Sequence, residues 1–491
     1  MTPPDPIQPA LDPVRGAFGG VDYTKIVATI GPASEGRIGA LIDAGMNVAR
    51  INFSHGTLEE QRKRIGTIRA EARSRMMAVG ILADLQGPKM RLGCFEGGGM
   101  GLEKGQQVEI REGGGKAPLG SVLFNFGGFV DCLKAGHRLL LADGQVCLEV
   151  ESVGQGVVTA RVTRSGQLAD RKGVHLPDSE IEYELPTAED RRHIEFCNEI
   201  GIDMLGISFV GAAAEIHEIR KLCPGALIVA KIERRQAILN LAEILAAADG
   251  IMVARGDLGV ELDLEQVPVQ QKTMLHEALH AGRFTITATE MLESMIESSR
   301  PTRAEVADVA NAVLDGSDAI MLSAETAVGA HPVEAVATMR RIARAVEASS
   351  RYHRMPREDW REAEPDATNA VAMAAVRVAS ALKISKIVCF TETGRTARLL
   401  TRYRPGAEII ALSPKESTVN QMTLLAGARP ILFRREPSLE DMLYMASEML
   451  VVRDLASYGE TVVFVAGVPP GVSRSTNVLK LSKIGEEIRL H

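Results

Sequence analysis

Eight short apolar, β-branched runs, most of them separated by segments of helical period, constrain this chain more than any other feature. The runs fall at 25–30, 47–53, 78–84, 204–209, 227–233, 250–254, 284–289 and 319–322, with helix-period segments such as 189–200, 215–222 and 303–314 between them. Strands this uniformly apolar must be covered on both faces, and short crossovers return the chain parallel to itself. Eight such units predict an α/β fold, a closed (β/α)8 TIM barrel. One gap breaks the rhythm. From Gly87-Pro88 to about residue 184 the chain is glycine-rich and alternates apolar with polar residues, as at 146–150 and 157–162. This all-β texture predicts a small β-barrel domain inserted after the third strand, over 88–184, splitting the barrel into 21–87 and 185–350.

Beyond residue 350 the pattern restarts. A charged, proline-bearing segment at 351–365 precedes an alanine-rich helix at 368–382 and strands at 386–390, 408–412 and 462–466. This predicts a separate doubly wound α/β domain over 351–491. Pro3, Pro4, Pro6, Pro9 and Pro13 mark 1–20 as a loose tail without the apolar centre of a signal peptide. A length of 491 residues suits about three domains of ordinary size. The net charge of -7 argues against a nucleic-acid or anionic-membrane partner held by bulk electrostatics. No apolar run reaches the roughly 18 residues of a membrane span. The six cysteines form no C-x-x-C pair and read as buried small hydrophobes of a reducing, cytoplasmic compartment.

Barrel enzymes carry their chemistry at the carboxyl ends of the strands. The fifth run releases Lys231 and Glu233, two residues apart and on one face of the strand. The sixth releases Arg255, Gly256 and Asp257, where glycine lets a ligand approach the backbone. A lysine and two carboxylates at neighbouring strand ends suit a divalent metal with phosphate or carboxylate oxygens. The alternative for each is an ordinary solvated, charged strand end. Adding Arg50 from the second strand and Arg91 beyond the third places Arg50, Arg91, Lys231, Glu233 and Asp257 on one rim, a set fit to grip an anionic phosphate.

Six strings carry a resemblance: KIVATIGPAS at 25–34, NVARINFSHG at 47–56, KGVHLP at 172–177, GIMVARGDLGVE at 250–261, TEMLESMI at 289–296 and MLSAETA at 321–327. In these, and in their order along the whole chain, the sequence resembles the pyruvate kinases. The resemblance implies phosphoryl transfer from phosphoenolpyruvate to ADP, with protonation of the enolate to give pyruvate. It implies that Glu233 and Asp257 hold Mg²⁺ (Mn²⁺ being the other candidate), that Lys231 neutralises the phosphoryl group in flight, and that Arg50 and Arg91 grip phosphate. Gly256 and Asp257 would offer backbone amides to the substrate carboxylate. Thr289 would relay a proton through water to the enolate carbon. Asn52, His55, Arg91 and Lys172 match nucleotide-contacting positions, Lys172 reaching in from the insert as part of a water-excluding lid.

Two positions depart from the family pattern. Glu290 stands where glutamine is common. After the third strand, Asp84-Leu85-Gln86-Gly87-Pro88-Lys89 replaces a string that usually ends in glutamate. Asn52, Ser54, Asp84 and Leu85 match the surroundings of a monovalent cation, and Lys89 is the variant associated with potassium independence. A tethered ammonium can supply the charge K⁺ brings, so K⁺ is expected not to be required. In the C-terminal domain, Thr391, Thr393, Gly394, Arg395 and Thr396 follow a strand and open a helix, an anion-binding arrangement. The family receives phosphorylated effectors there, with the loop 468–477 and Arg474 closing over them, and usually assembles as a homotetramer. Two rival readings stay open. A barrel lyase or aldolase acting on pyruvate or oxaloacetate would need neither lid nor Lys172. A catalytically silent regulator would have shed Lys231, Glu233, Asp257 or Arg50, and all four are present.

Overall fold

The computed structural model describes residues 22–486 except 119, 143, 180, 182, 351, 353–365, 470 and 472–475. The proline-bearing tail, nearly all of the 351–365 segment and Arg474 lie outside the described residues. Strands β1 (Lys25–Thr29), β2 (Val48–Asn52), β3 (Gly80–Asp84), β4 (Met204–Ile207), β5 (Leu227–Ile232), β6 (Gly250–Ala254), β7 (Phe284–Ala288) and β8 (Ala319–Leu322) close into one parallel barrel. All eight expected runs are strands, several stopping a residue or two early. The fourth ends at Ile207, because Phe209 takes a left-handed backbone (φ 61) that no strand continues through.

Alternate strand residues serve two separate apolar clusters, as a period of two requires. Ile26, Ala28, Ile51, Ile81 and Ala83 pack under the surrounding helices, whereas Val27, Val48, Leu82 and Val229 belong to a second cluster. Two residues further along the same faces stand Thr29, Arg50, Asp84 and Lys231. A layer of apolar side chains therefore underlies a layer of charge at the carboxyl ends of β2, β3 and β5. The second cluster continues into the C-terminal domain through Ala372, Ala375 and Leu400, so that domain covers the opposite mouth.

At that lower mouth the even strands each begin just after an Asx residue that caps the strand before. Asn47, Asp203, Asp249 and Asp318 accept from the backbone N–H of Ile26 (2.9 Å), Ile81 (2.8 Å), Ile228 (3.0 Å) and Thr285 (2.9 Å). Two of these carboxylates also take the C-terminal domain's arginines, Asp249–Arg398 at 3.3 Å and Asp318–Arg404 at 2.6 Å.

The insert folds as a six-stranded sheet and a two-stranded one around Phe124, Phe129 and Leu148. The C-terminal sheet runs in the order Ala428–Leu432, Glu408–Ser413, Lys386–Phe390, Thr461–Gly467, Thr476–Lys483, parallel except for the last edge strand. Of the cysteines, Cys197, Cys223 and Cys389 are buried, but Cys94, Cys132 and Cys147 are only half-buried, contrary to the expectation for all six. Among the described residues, no helix is long and apolar enough to cross a membrane.

Candidate active site

Lys231 and Glu233 are buried, 9% and 2% exposed, which removes the solvated strand end as an account of them. The Lys231 ammonium stands 2.8 Å from Glu233 Oε1 and 3.3 Å from Asp84 Oδ1, and donates to Ser208 Oγ at 2.6 Å. Arg50 grips Asp84 Oδ2 with Nε (2.7 Å) and Nη2 (2.5 Å), and its Nη1 donates to Thr29 Oγ1 at 2.9 Å. Thr29 in turn donates to the Leu322 carbonyl at 2.9 Å, which fixes the guanidinium against β8. Two cations and two carboxylates thus interlock on the floor of the barrel mouth.

Burial opposes the Lys231 charge, yet Asp84, Glu233 and Asp257 together raise its pKa. Burial likewise opposes ionisation of Asp84, but Lys231 and Arg50 hold its carboxyl below the usual range. For Glu233 burial dominates and pushes the carboxyl up, with Asp257 adding to it against the pull of Lys231.

Asp257 lies in the first turn of the helix Arg255–Glu261 directly after β6. Gly256 N–H donates to Thr289 Oγ1 (2.8 Å), and that hydroxyl donates to the Ala288 carbonyl (2.7 Å). Thr289 and Glu290 both adopt positive φ (67 and 54), an uncommon conformation that concentrates at functional sites. Arg255 holds this turn by donating to the Thr289 carbonyl at 2.6 Å while bound to Asp308. Glu290 itself is exposed.

Lys89 reaches Asp257 Oδ1 at 3.5 Å, with both side chains 26% exposed. Three of the four candidate monovalent-cation ligands are already engaged by protein. Asn52 Oδ1 accepts from Ser54 N–H (3.0 Å), the Leu85 carbonyl accepts from Ser208 (2.8 Å), and Asp84 is taken by Arg50 and Lys231. Arg91 is held by the insert. The chain leaves the barrel at Gly87 (φ 66), and Arg91 pairs with Gly173 in the insert, its N–H on Asn125 and its guanidinium on the Arg171 carbonyl. The next residue, Leu92, donates to the Lys172 carbonyl at 2.8 Å, so the backbone of both basic residues is held within the insert. His55 is exposed on the loop after β2, its carbonyl held by Gln61.

Two contributors were not anticipated. Ser208, following β4, joins Lys231 to the Leu85 carbonyl; the signal was a lone polar residue closing the apolar run Met204–Ile207. Asp190 caps the helix Ala188–Ile200 and also accepts from Gly87 N–H at 3.2 Å, at the point where the insert departs.

The chain matches the pyruvate kinase barrel domain over residues 21–336 and the pyruvate kinase alpha/beta domain over 369–482. The chain belongs to the pyruvate kinase family. Curated pyruvate kinases agree along nearly all of it. That of Methylorubrum extorquens is 42% identical over 467 residues, covering 94% of this chain and 98% of its own. Those of Sporosarcina psychrophila and Staphylococcus aureus are 40% and 39% identical, covering 94% and 95% of this chain and 80% and 81% of theirs. The protein is therefore a phosphotransferase with pyruvate kinase function, and the family implies phosphoenolpyruvate and ADP as substrates and a divalent metal in general.

The donor set suits such an ion. Glu233 and Asp257 are hard oxygen donors near enough for each charge to act on the other. Among the described residues no group of three or more His, Cys, Asp or Glu could hold a metal by itself. An ion held by two carboxylates leaves most of its coordination sphere to substrate oxygens and water, as Mg²⁺ in phosphoryl-transfer sites requires.

In the C-terminal domain a pocket is lined by Thr391, Thr393, Arg395 and Thr396, together with Arg434 and Arg435. Gly394 (φ 75) caps the helix Arg395–Arg402 that opens from it. Arg395 is paired to Asp366 at 3.0 Å and Arg435 to Glu392 at 2.7 Å, so both arginines now face carboxylates.

Proposed function

We propose that the protein moves the phosphoryl group of phosphoenolpyruvate to ADP with Mg²⁺ at Glu233 and Asp257, needs no K⁺, and answers to a phosphorylated effector. The carrying observation is the buried Lys231 ammonium, set between Asp84 and Glu233 beside the Arg50 guanidinium. A fixed cation in a desolvated floor stabilises charge as the phosphoryl group leaves one oxygen and meets the next, with no reorganisation at the moment of transfer. Arg50, held from two sides by Asp84 and Thr29, presents its fork to a phosphate already in register. Gly256 and Asp257 take the substrate carboxylate on backbone amides at a helix start, the Gly256 N–H exchanging Thr289 Oγ1 for the substrate oxygen. Thr289, which hydrogen-bonds both Gly256 and Ala288, orders the water that delivers a proton to the enolate carbon. A Mg²⁺ ion bound by Glu233 and Asp257 supplies Lewis-acid neutralisation of phosphate and carboxylate oxygens; Mn²⁺ fits the same donors.

Arg91 and Lys172 bring two cations from the insert to the nucleotide phosphates, with Asn52 and His55 on the barrel side. Lys89 stands where a glutamate would draw K⁺ and puts an ammonium 3.5 Å from Asp257. The pocket at Thr391–Thr396 takes the effector's phosphate on Thr393, Gly394 and Arg395, once Arg395 and Arg435 exchange Asp366 and Glu392 for the ligand. The same reading makes the enzyme a cytoplasmic homotetramer. The test is pyruvate formation from phosphoenolpyruvate, ADP and Mg²⁺ with K⁺ titrated from zero. A full rate without K⁺ is the expected result. A rate that appears only with K⁺ removes the Lys89 argument, and pyruvate formed from oxaloacetate but not from phosphoenolpyruvate would favour a lyase instead.

A further inference from the structure

Glu233 depends on an unusual backbone. Its Oε2 accepts from the Phe209 N–H at 2.7 Å, while Oε1 faces Lys231. Phe209 presents that N–H from a left-handed conformation, φ 61, which is unfavourable for an L-residue and persists only where its surroundings enforce it. Three contacts enforce it here. The Phe209 ring lies 5.6 Å from the ring of Tyr183. The Arg234 guanidinium donates to the Phe209 carbonyl at 3.0 Å and sits 4.6 Å over the face of Tyr183. Phe209, Tyr183 and Arg234 therefore form a closed cycle of contacts around one strained residue.

The cycle has a second attachment. Tyr183 stands at the end of the insert, its ring 5.7 Å from Phe126 of the inserted domain. Arg234 follows Glu233 directly in sequence, and Phe209 follows Ser208, the acceptor of Lys231. Among the described residues, neither the Tyr183 nor the Arg234 side chain makes a hydrogen bond or ion pair to Lys231, Glu233, Asp84 or Arg50. Both act one step removed, on the residue that orients Glu233.

We infer that Tyr183 and Arg234 are positioning residues that lock Phe209 in its left-handed form, so that its N–H aims the Glu233 carboxylate for metal, and that they tie this aim to the seating of the inserted domain through Phe126. The inference rests on Glu233 being a metal ligand, the reading given above. Its logic is that of outer-shell partners at metal sites, which fix ligand orientation without touching the ion. Without the Tyr183 ring and the Arg234 clamp, Phe209 relaxes out of positive φ and the carboxylate loses the Phe209 N–H.

The test is direct Mn²⁺ binding to the nucleotide-free full-length enzyme, read from the free-ion electron paramagnetic resonance signal, with kcat and KM for ADP measured in parallel. Tyr183→Leu and Arg234→Met should each weaken Mn²⁺ binding by about tenfold, the lower end for loss of an outer-shell partner. Tyr183→Phe, which keeps the ring, should stay within about twofold of wild type, because the contact uses the ring face rather than the hydroxyl. A purely structural role would lower the melting temperature without this pattern. Folded Tyr183→Leu and Arg234→Met enzymes with wild-type Mn²⁺ affinity overturn the proposal. Should Tyr183→Leu fail to fold, Arg234→Met alone decides it. Glu233→Gln separates the two claims: Mn²⁺ bound normally by that variant removes the metal assignment itself, whereas Mn²⁺ lost by it but kept by the other two removes only the clamp.

Discussion

Replacing Lys231 by methionine keeps much of the volume of the stem and deletes one charge from a buried set of four. At an effective dielectric of 20, an ammonium at 2.8 Å from Glu233 and 3.3 Å from Asp84 gains about 6 and about 5 kcal/mol in Coulomb terms, before desolvation offsets most of it. Asp84 survives the change well, because Arg50 still holds it with two donors. Among the described residues, Glu233 keeps only the Phe209 N–H as a hydrogen-bond donor. The loss therefore falls on one carboxylate, and a destabilisation of about 3 kcal/mol, the low end for breaking a buried pair, is expected. The chemical effect should be far larger. Losing a preorganised charge at the migrating phosphoryl group removes roughly 10³-fold or more from kcat. The assay is initial-rate pyruvate formation at saturating substrates, with circular dichroism and thermal unfolding on the same preparations. Lys231→Arg should recover much of the stability, since it restores a cation, but little of the rate, since the broader guanidinium cannot occupy the place of a point charge. A folded Lys231→Met enzyme with kcat within tenfold of wild type would refute the role argued for this residue.

Other expectations follow from separate parts of the molecule. Lys89→Glu should leave the fold intact and convert the enzyme to one whose rate at zero K⁺ drops at least about tenfold and returns on adding K⁺, since the exchange replaces an ammonium near Asp257 by a carboxylate; rates insensitive to K⁺ in both proteins would contradict it. Ser208→Ala removes the acceptor that fixes Lys231 at 2.6 Å, and should lower kcat about tenfold while costing about 1 kcal/mol in stability; an unchanged kcat would reduce Ser208 to a packing residue. Glu347 is buried at the lower mouth, accepting from Thr24 N–H at 2.7 Å, and burial pushes its carboxyl from 4.5 up to about 7. Between those values the folded chain keeps a proton that the unfolded chain releases, so the stability this contributes is complete below pH 4.5 and lost as pH rises through 7. Glu347→Gln should flatten the decline in melting temperature between these pH values, by the equivalent of about 3 kcal/mol; parallel pH profiles for the two proteins would contradict the shift.

The barrel strands were legible because each is a local apolar run whose type depends on its own composition and the turn that ends it. Lys231, Glu233 and Asp257 were legible for a related reason: charge directly after an apolar run puts polar groups at a strand end, and parallel strands gather their ends on one face. Arg91 shows where that reasoning stops. Counted along the chain it follows the third barrel strand, but the positive φ of Gly87 turns the backbone into the insert, where Arg91 pairs with Gly173. Ser208 and Phe209 were missed because their importance lies in what faces them across the mouth, a lysine and a glutamate from the next strand. The Asx caps at the lower mouth escaped notice too, since each accepts from a different strand and the arginines on two of them come from another domain.

By itself, the amino-acid order determined the closed parallel barrel, the interruption after its third strand, the restart of the pattern beyond residue 350 and the chemical character of the rim. These follow from periodicity and from residue type, which act over a few neighbours. Only the tertiary structure decided which cation meets which carboxylate, that Lys231 and Glu233 are buried rather than solvated, that Lys89 lies on Asp257, and that Phe209 is held in a left-handed turn by Tyr183 and Arg234. Those outcomes depend on distances between residues far apart in the chain and on the exclusion of water from the space between them. Neither quantity exists until the strands have closed.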